Sequence, residues 1–241
     1  MIVAVVSDIH SNLEALEAVL ADAERQGSSK LWCLGDIVGY GADPNPVCER
    51  LRVDAHASVA GNHDWAACGK MTLGYFNSAA AAAAEWTAEQ LSPASKEWLS
   101  SLPLEHVEDG VRLVHGSPSE PEAWQYVLSV AEAEGELASF PESVCLIGHS
   151  HFPGAFEGDG MRVRYSRTDR VRLLPSYRYL VNVGSVGQPR DGDPRACYLL
   201  LDTEKQEIVH RRVPYDIAAA QRKILGAGLP AFLATRLAQG A

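Results

Sequence analysis

Positive charge is scarce in this chain. Its 21 lysines and arginines stand against 31 aspartates and glutamates, a formal charge of −10 over 241 residues. A stable nucleic-acid partner wants a basic face, so none is expected, although a local positive site is still allowed. Cysteine is scarce too. Cys33, Cys48, Cys68, Cys145 and Cys197 are odd in number and form no C-x-x-C pair. That argues against a disulfide framework or a cysteine zinc site and fits a reducing, cytoplasmic setting. Long apolar runs are missing. Met1 to Val6 stops at Ser7 and Asp8 with no basic stretch before it, too short for a membrane span and unlike a secretory leader. No G-x-S-x-G occurs, so a serine-hydrolase nucleophile elbow is excluded.

What is present is ordinary globular composition, 46% hydrophobic and 22% charged, enough at this length for a sizeable core. No repeat or long linker divides the chain. One domain over 1–241 is expected, with a core to about residue 213 and a helical segment over 214–241. Ile2 to Ser7, Leu31 to Leu34 and Ala55 to Ala60 read as buried strands. Between them lie helices over Asn12 to Arg25, capped by Asn12, and over Val47 to Leu51. That order predicts a parallel sheet with covered faces. Asp43 to Pro46 reads as a rigid loop in which Asn45 caps a helix. Asn77 to Leu91, with its run of alanines, and Ser92-Pro93 to about Leu102 read as packed helices. Later strands are expected at Val111 to Val114, Ser143 to Ile147, Arg170 to Leu174, Tyr179 to Asn182, Ala196 to Asp202 and Glu207 to Val213. Asp159-Gly160 marks a hairpin turn. An α/β half and a β-rich half, each contributing a sheet, predict a two-sheet core with outer helices.

The residues that follow the strands carry the chemistry. Asp8-Ile9-His10 follows the first, Gly35-Asp36 the second and Gly61-Asn62-His63-Asp64 the third. His115-Gly116 follows Val114, and Gly148-His149-Ser150-His151 follows Ile147. Ligand crevices in open α/β sheets form at the carboxyl ends of strands. Five ends here deliver metal-type ligands: His10, His115, His149, His151, Asp8, Asp36 and Asn62. One such residue alone is most often a cap or a turn residue; the same types at five ends point to a site. Imidazole with carboxylate suits Mn, Fe, Zn, Co or Ni rather than a Ca or Mg cage. Seven ligands suit two ions, with Asp36 as the natural bridge. Two divalent ions against two carboxylates leave a positive surplus that attracts an anion and acidifies bound water. A pair of ions also clamps the attacking and leaving oxygens of a phosphoryl displacement. His56, His106 and His210 fall outside the pattern.

These motifs, in this order, resemble the set found in the calcineurin-like metallophosphoesterases. Asn182 to Arg190 resembles the C-terminal motif of the small bacterial and archaeal branch. The resemblance implies a four-layer α/β/β/α sandwich with a dinuclear site at one edge. It implies one ion held by Asp8, His10, Asp36 and His151 and a second held by Asp36, Asn62, His115 and His149. Both would be divalent transition metals, manganese first, with Fe, Zn, Ni or Co as alternatives. It implies a bridging hydroxide as nucleophile, with His63 assisting the leaving group rather than binding metal and Asp64 orienting His63. The expected activity is phosphate-ester hydrolysis, phosphodiesters first. The alternatives are a dinucleoside polyphosphate hydrolase and a phosphomonoesterase; a non-catalytic scaffold on the same fold is disfavoured by the presence of His63. The arginine that follows the second motif in Ser/Thr protein phosphatases is missing from Gly35 to Gly41, which argues against that activity. Arg190 is the candidate replacement contact to phosphate. The expected partner is a small phosphate ester or nucleotide, with no membrane; the oligomeric state is open. Trp65, Tyr75, Trp124 and Tyr126 read as packing residues, with base stacking as the alternative.

Overall fold

In a computed structural model covering residues 1–241, the chain begins with β1 (Ile2–Val6), α1 (Leu13–Arg25), β2 (Lys30–Cys33), α2 (Pro44–Asp54), β3 (Ala57–Ser58) and α3 (Asn62–Ala67). Helices α4 (Ser78–Gln90) and α5 (Pro93–Ser101) follow, then β4 (Glu105–Glu108), β5 (Val111–Val114), α6 (Val130–Leu137) and β6 (Val144–Ile147). Next come β7 (Gly154–Gly158), β8 (Val163–Ser166), β9 (Arg170–Arg172) and β10 (Arg178–Asn182). The chain finishes with β11 (Ala196–Asp202), β12 (Glu207–Val213), α7 (Ile217–Gly226) and α8 (Ala231–Thr235).

Local chemistry starts several helices. Asn12, Asn77 and Ser92 each accept the backbone N–H three residues on, as good caps do. Asn45 does not cap. Helix α2 begins earlier, at Pro44, which leaves Asn45 inside the first turn. Its amide instead donates to Gln90 O and accepts from Ser92 N, both at 2.8 Å. The hairpin at Asp159-Gly160 forms between β7 and β8, and Asp159 Oδ1 accepts the N–H groups of Met161 and Arg162.

The strands form two mixed six-stranded sheets, ordered β3-β2-β1-β11-β12-β9 and β4-β5-β6-β10-β7-β8. Period-two alternation places them face to face. Val3 and Val5 of β1 meet Leu113 and Leu146 between the sheets, while Ala4 and Val6 face Leu16 and Val19 of α1. In β6, Leu146 points inward and Cys145 and Ile147 point to Leu137 of α6. The layers therefore run helix, sheet, sheet, helix.

Two expectations are corrected. The halves of the chain do not build one sheet each. β11 pairs antiparallel with β1, from Ile2 opposite Asp202 to Val5 opposite Leu199, so the first sheet draws three strands from each end of the chain. And β3 is only Ala57–Ser58: Val59 N still donates to Cys33 O at 3.0 Å, but the chain then turns toward α3, and Ala60 N donates to Pro103 O at 2.8 Å. Beyond β12, α7, α8 and the turn Arg236–Ala238 cover the alanine face of α4, with Ile224, Leu233 and Leu237 against Ala80, Ala83 and Tyr40. No helix is long and apolar enough to cross a membrane. All five cysteines are free.

Candidate metal centre

The turns after β1, β2, β5 and β6 bring their polar side chains to one buried point. His151 Nε2 lies 3.2 Å from Asp8 Oδ1, and His115 Nε2 lies 3.3 Å from Asp36 Oδ2. His10 Nε2 is 3.8 Å from Asp8 Oδ1, 3.7 Å from Asp36 Oδ2 and 3.2 Å from His151 Nε2. Two groups of donor atoms, each within 4.8 Å, are Asp8–His10–His151 and Asp36–His115–His149. Asn62 opens α3 beside them, its Oδ1 buried without a partner. His56, His106 and His210 join none of these groups.

The backbone is held in an uncommon state to achieve this. Asp8, His10, Asp36, His149 and His151 all have φ between 49° and 65°, a region that costs a non-glycine residue roughly 1–3 kcal/mol and clusters at functional sites. Close approach is allowed by missing side chains. A Cβ on Gly61 would fall on the Asp36 carboxylate, and one on Gly148 would fall on Ser7 Oγ and lie 2.7 Å from Asp8 Oδ2.

Each imidazole is tied back at one nitrogen by a carbonyl. His10 Nδ1 donates to Val38 O at 3.2 Å, His115 Nδ1 to Leu34 O at 2.7 Å and His151 Nδ1 to Gln188 O at 2.5 Å. His149 is turned over: its Nε2 donates to Trp124 O at 2.8 Å. A carbonyl only accepts, so the tied nitrogen carries the proton and the other turns a lone pair inward. Lone pairs of His10 and His151 thus face each other across 3.2 Å. Asp8 Oδ1, Asn62 Oδ1 and His115 Nε2 are buried with no hydrogen-bond partner. Such a set is unfavourable alone and is satisfied by cations. Its mixed imidazole, carboxylate and amide donors fit divalent transition metals.

The titration behaviour agrees. Burial opposes ionisation of Asp8 and Asp36, yet the charges of His151 and His115 hold both carboxyls well below their usual range. Burial lowers His10 and His151, and takes His149 down to about 3. It would lower His115 as well, but Asp36 and Asp8 lift that imidazole to about 9. A proton and a cation therefore compete for His115 Nε2.

His63 sits beside this cluster. Its backbone N–H donates to Asp36 Oδ1 at 2.9 Å, and its Nδ1 is buried without a partner. Tyr40 and Phe76 pack on its ring at 4.4 and 4.8 Å, and burial lowers it to about 4. Its ring nitrogen also lies within 4.8 Å of donor atoms of His10 and Asp36. The expected Asp64–His63 hydrogen bond is corrected. Asp64 accepts from Ile37 N and Val38 N at 2.9 and 3.1 Å and from Gly61 N at 2.9 Å. It braces the turns that carry Asp36 and Asn62, and no hydrogen bond joins it to the imidazole, whose Nδ1 has no partner. Burial and the Asp36 charge push the Asp64 carboxyl up to about 7, against those bonds.

Arg190 lies at the rim, half-buried. It donates to two neutral groups, Tyr40 OH at 3.4 Å and Gln188 Oε1 at 3.2 Å, and its Nε has no partner. On one flank, a cavity of about 550 Å³ shares Asn62, His63 and His149 with the centre. Trp65, Tyr75, Trp124 and Tyr126 line this cavity rather than a core. Sequence reasoning missed Tyr40 and Phe76, both against His63. The one local signal was position: Tyr40 sits between Gly39 and Gly41 in the loop after Asp36, with φ 59°.

Comparison with known proteins gives a consistent picture. The model of the calcineurin-like phosphoesterase superfamily domain matches residues 1–206. An uncharacterized protein of Methanocaldococcus jannaschii is 40% identical over 243 residues, covering 99% of this chain and 98% of that one. The crystal structure of a metallophosphoesterase from Sphaerobacter thermophilus is similar at a TM-score of 0.89 and 41% identity, over 100% of this chain and 99% of that one. A hypothetical protein from Pyrococcus horikoshii OT3 shares the fold at a TM-score of 0.81 and 21% identity, over 100% and 98%.

Proposed function

The chain belongs to the calcineurin-like phosphoesterase superfamily, and from that membership we propose a dinuclear metal-dependent phosphoesterase that prefers phosphodiesters. The observation that carries the reading is the ring of four imidazoles tied to carbonyls so that each turns a lone pair toward Asp8 and Asp36. Asp8, His10, Asp36 and His151 would hold one divalent ion, and Asp36, Asn62, His115 and His149 a second. Manganese is the first candidate; Fe, Zn, Ni and Co suit the same donors. Bound there, such ions would supply Lewis acidity toward a phosphoryl oxygen and lower the pKa of water.

The chain's own residues do the rest. His63 faces both the centre and the cavity. Its neutral ring keeps one N–H to donate to the departing ester oxygen. An anionic phosphate beside it favours the protonated ring and so opposes the effect of burial. Arg190, with no carboxylate of its own, offers N–H groups to a phosphate oxygen. The cavity leaves room for an ester arm, which a diester has and inorganic phosphate lacks. The substrate is accordingly a small phosphate ester or nucleotide. Residues 1–241 act as one domain, since α7 and α8 are packed on Tyr40 and α4.

The test is hydrolysis of bis-p-nitrophenyl phosphate beside p-nitrophenyl phosphate, by chelator-stripped protein without metal and with Mn²⁺, Fe²⁺, Zn²⁺, Ni²⁺ or Co²⁺ in turn. Restored turnover of the diester above the monoester is expected. Monoester preference would overturn the diester assignment, and no turnover with any of the five metals would overturn the enzyme.

A further inference from the structure

We propose that the cavity beside the centre is a specificity subsite for a flat aromatic arm of the ester, of nucleoside size and without a second negative charge. This rests on the phosphoesterase reading above. At about 550 Å³ the cavity falls in the usual range of small-molecule sites, roughly 300–1,000 Å³. It shares His63 and His149 with the centre, so an arm lying in it remains within reach of a phosphate placed there.

Its walls are aromatic faces and edges. Trp65 and Trp124 meet edge to face at 5.3 Å, and Tyr126 lies flat on His149 at 4.1 Å and 10°. Phe76 and Tyr75 also line it. Tyr75 is 90% exposed and Tyr126 48% exposed, which packing within the chain does not explain. Trp124 is set into the wall by a left-handed backbone, φ 52° and ψ 38°, a state that bulky residues avoid.

Charge narrows the choice of arm. Glu122 is the one acidic side chain in the lining, and no lysine or arginine accompanies it. A neutral ring is accepted on such a wall, whereas an anionic group beside Glu122 would meet like charge; the bordering cations are held on other lining residues, Lys70 over the Trp65 ring and Arg190 at Tyr40 OH. Base stacking on aromatic side chains is tolerant of which base is present, and losing one such side chain weakens binding by about tenfold or more.

Calorimetric titration into chelator-stripped protein reads the cavity without metal and without turnover. Adenosine should bind saturably and ribose should not. Tyr75→Ala and Phe76→Ala should each weaken adenosine by about tenfold. Benzyl alcohol binding as tightly as adenosine would assign a general aryl arm; much tighter adenosine would assign a nucleoside. Benzoate should bind more weakly than benzyl alcohol, and Glu122→Gln should narrow that gap; equal binding of the two by the unaltered protein overturns the charge assignment. No binding of either aromatic, or equal binding by the unaltered protein and both alanine variants, overturns the subsite. Diester turnover without aromatic binding leaves the hydrolase reading intact and sinks this one. Aromatic binding without turnover of any diester does the reverse.

Discussion

Asp36 answers to two neighbours at once. Its Oδ2 lies 3.3 Å from His115 Nε2 and 3.7 Å from His10 Nε2, so the carboxylate ties both donor groups together. Asp36→Asn should lower bound metal from two ions per chain toward none, measured by elemental analysis after reconstitution; unchanged content would overturn the bridge. His63 is the contrasting case. His63→Ala should keep both ions and lose turnover by about 10²–10⁴-fold. Parallel loss of metal would make the ring a ligand, which its closeness to His10 and Asp36 allows. The seven donors were legible in the sequence because each sits just after an apolar run. The partner of Asp64 was not legible. Gly61, Ile37 and Val38 donate to it only because two separate turns fold against one another, and adjacency to His63 in sequence says nothing about that.

Elements follow the same division. β1, β2, β5, β6, β10, β11 and β12 were legible as short apolar or alternating runs, and the caps Asn12, Asn77 and Ser92 marked their helices. Strand order was not, since Val5 opposite Leu199 is a pairing across almost the whole chain that no local period encodes. β4, β7 and β8 were not read as strands: β4 is a short, charged edge strand, and β7 and β8 were signalled only by the Asp159-Gly160 turn between them. One long-range tie joins the elements that local reading left apart. Asp22 of α1 accepts from Tyr198 OH of β11 at 2.7 Å and from Arg211 of β12 at 2.9 and 3.1 Å. Burial works to raise its pKa, but the bonds from Arg211 and Tyr198 overcome this and hold it below the usual value. A depressed folded pKa contributes stability above the unfolded value, about 3.9, and loses it as pH falls through the folded value. Asp22→Asn should therefore cost about 1–2 kcal/mol at pH 7, with the gap closing below about pH 4. Urea unfolding at both pH values checks this, and an equal gap at each would exclude the charge as the cause.

Across the whole molecule, the centre straddles the seam between the sheets. Asp8, His10 and Asp36 come from turns of the first sheet, and His115, His149 and His151 from turns of the second. Ions that bind only this joined state must stabilise it by linkage, about 2.7 kcal/mol at a hundredfold excess over Kd. Chelation should then lower the melting temperature by about 5–10 °C for a chain of this size, and Mn²⁺ should restore it in a scanning calorimeter. A melting temperature indifferent to chelator would mean that the donors do not bind ions in the folded state. The same seam also sets a timetable. A growing chain presents Asp8, His10, Asp36 and Asn62 early but lacks the other three donors until His115, His149 and His151 have emerged, and β1 waits longer still for β11. No fragment that ends before His151 offers all seven, so under the proposed reading an ion would fasten the two sheets after their turns have met rather than seed either sheet.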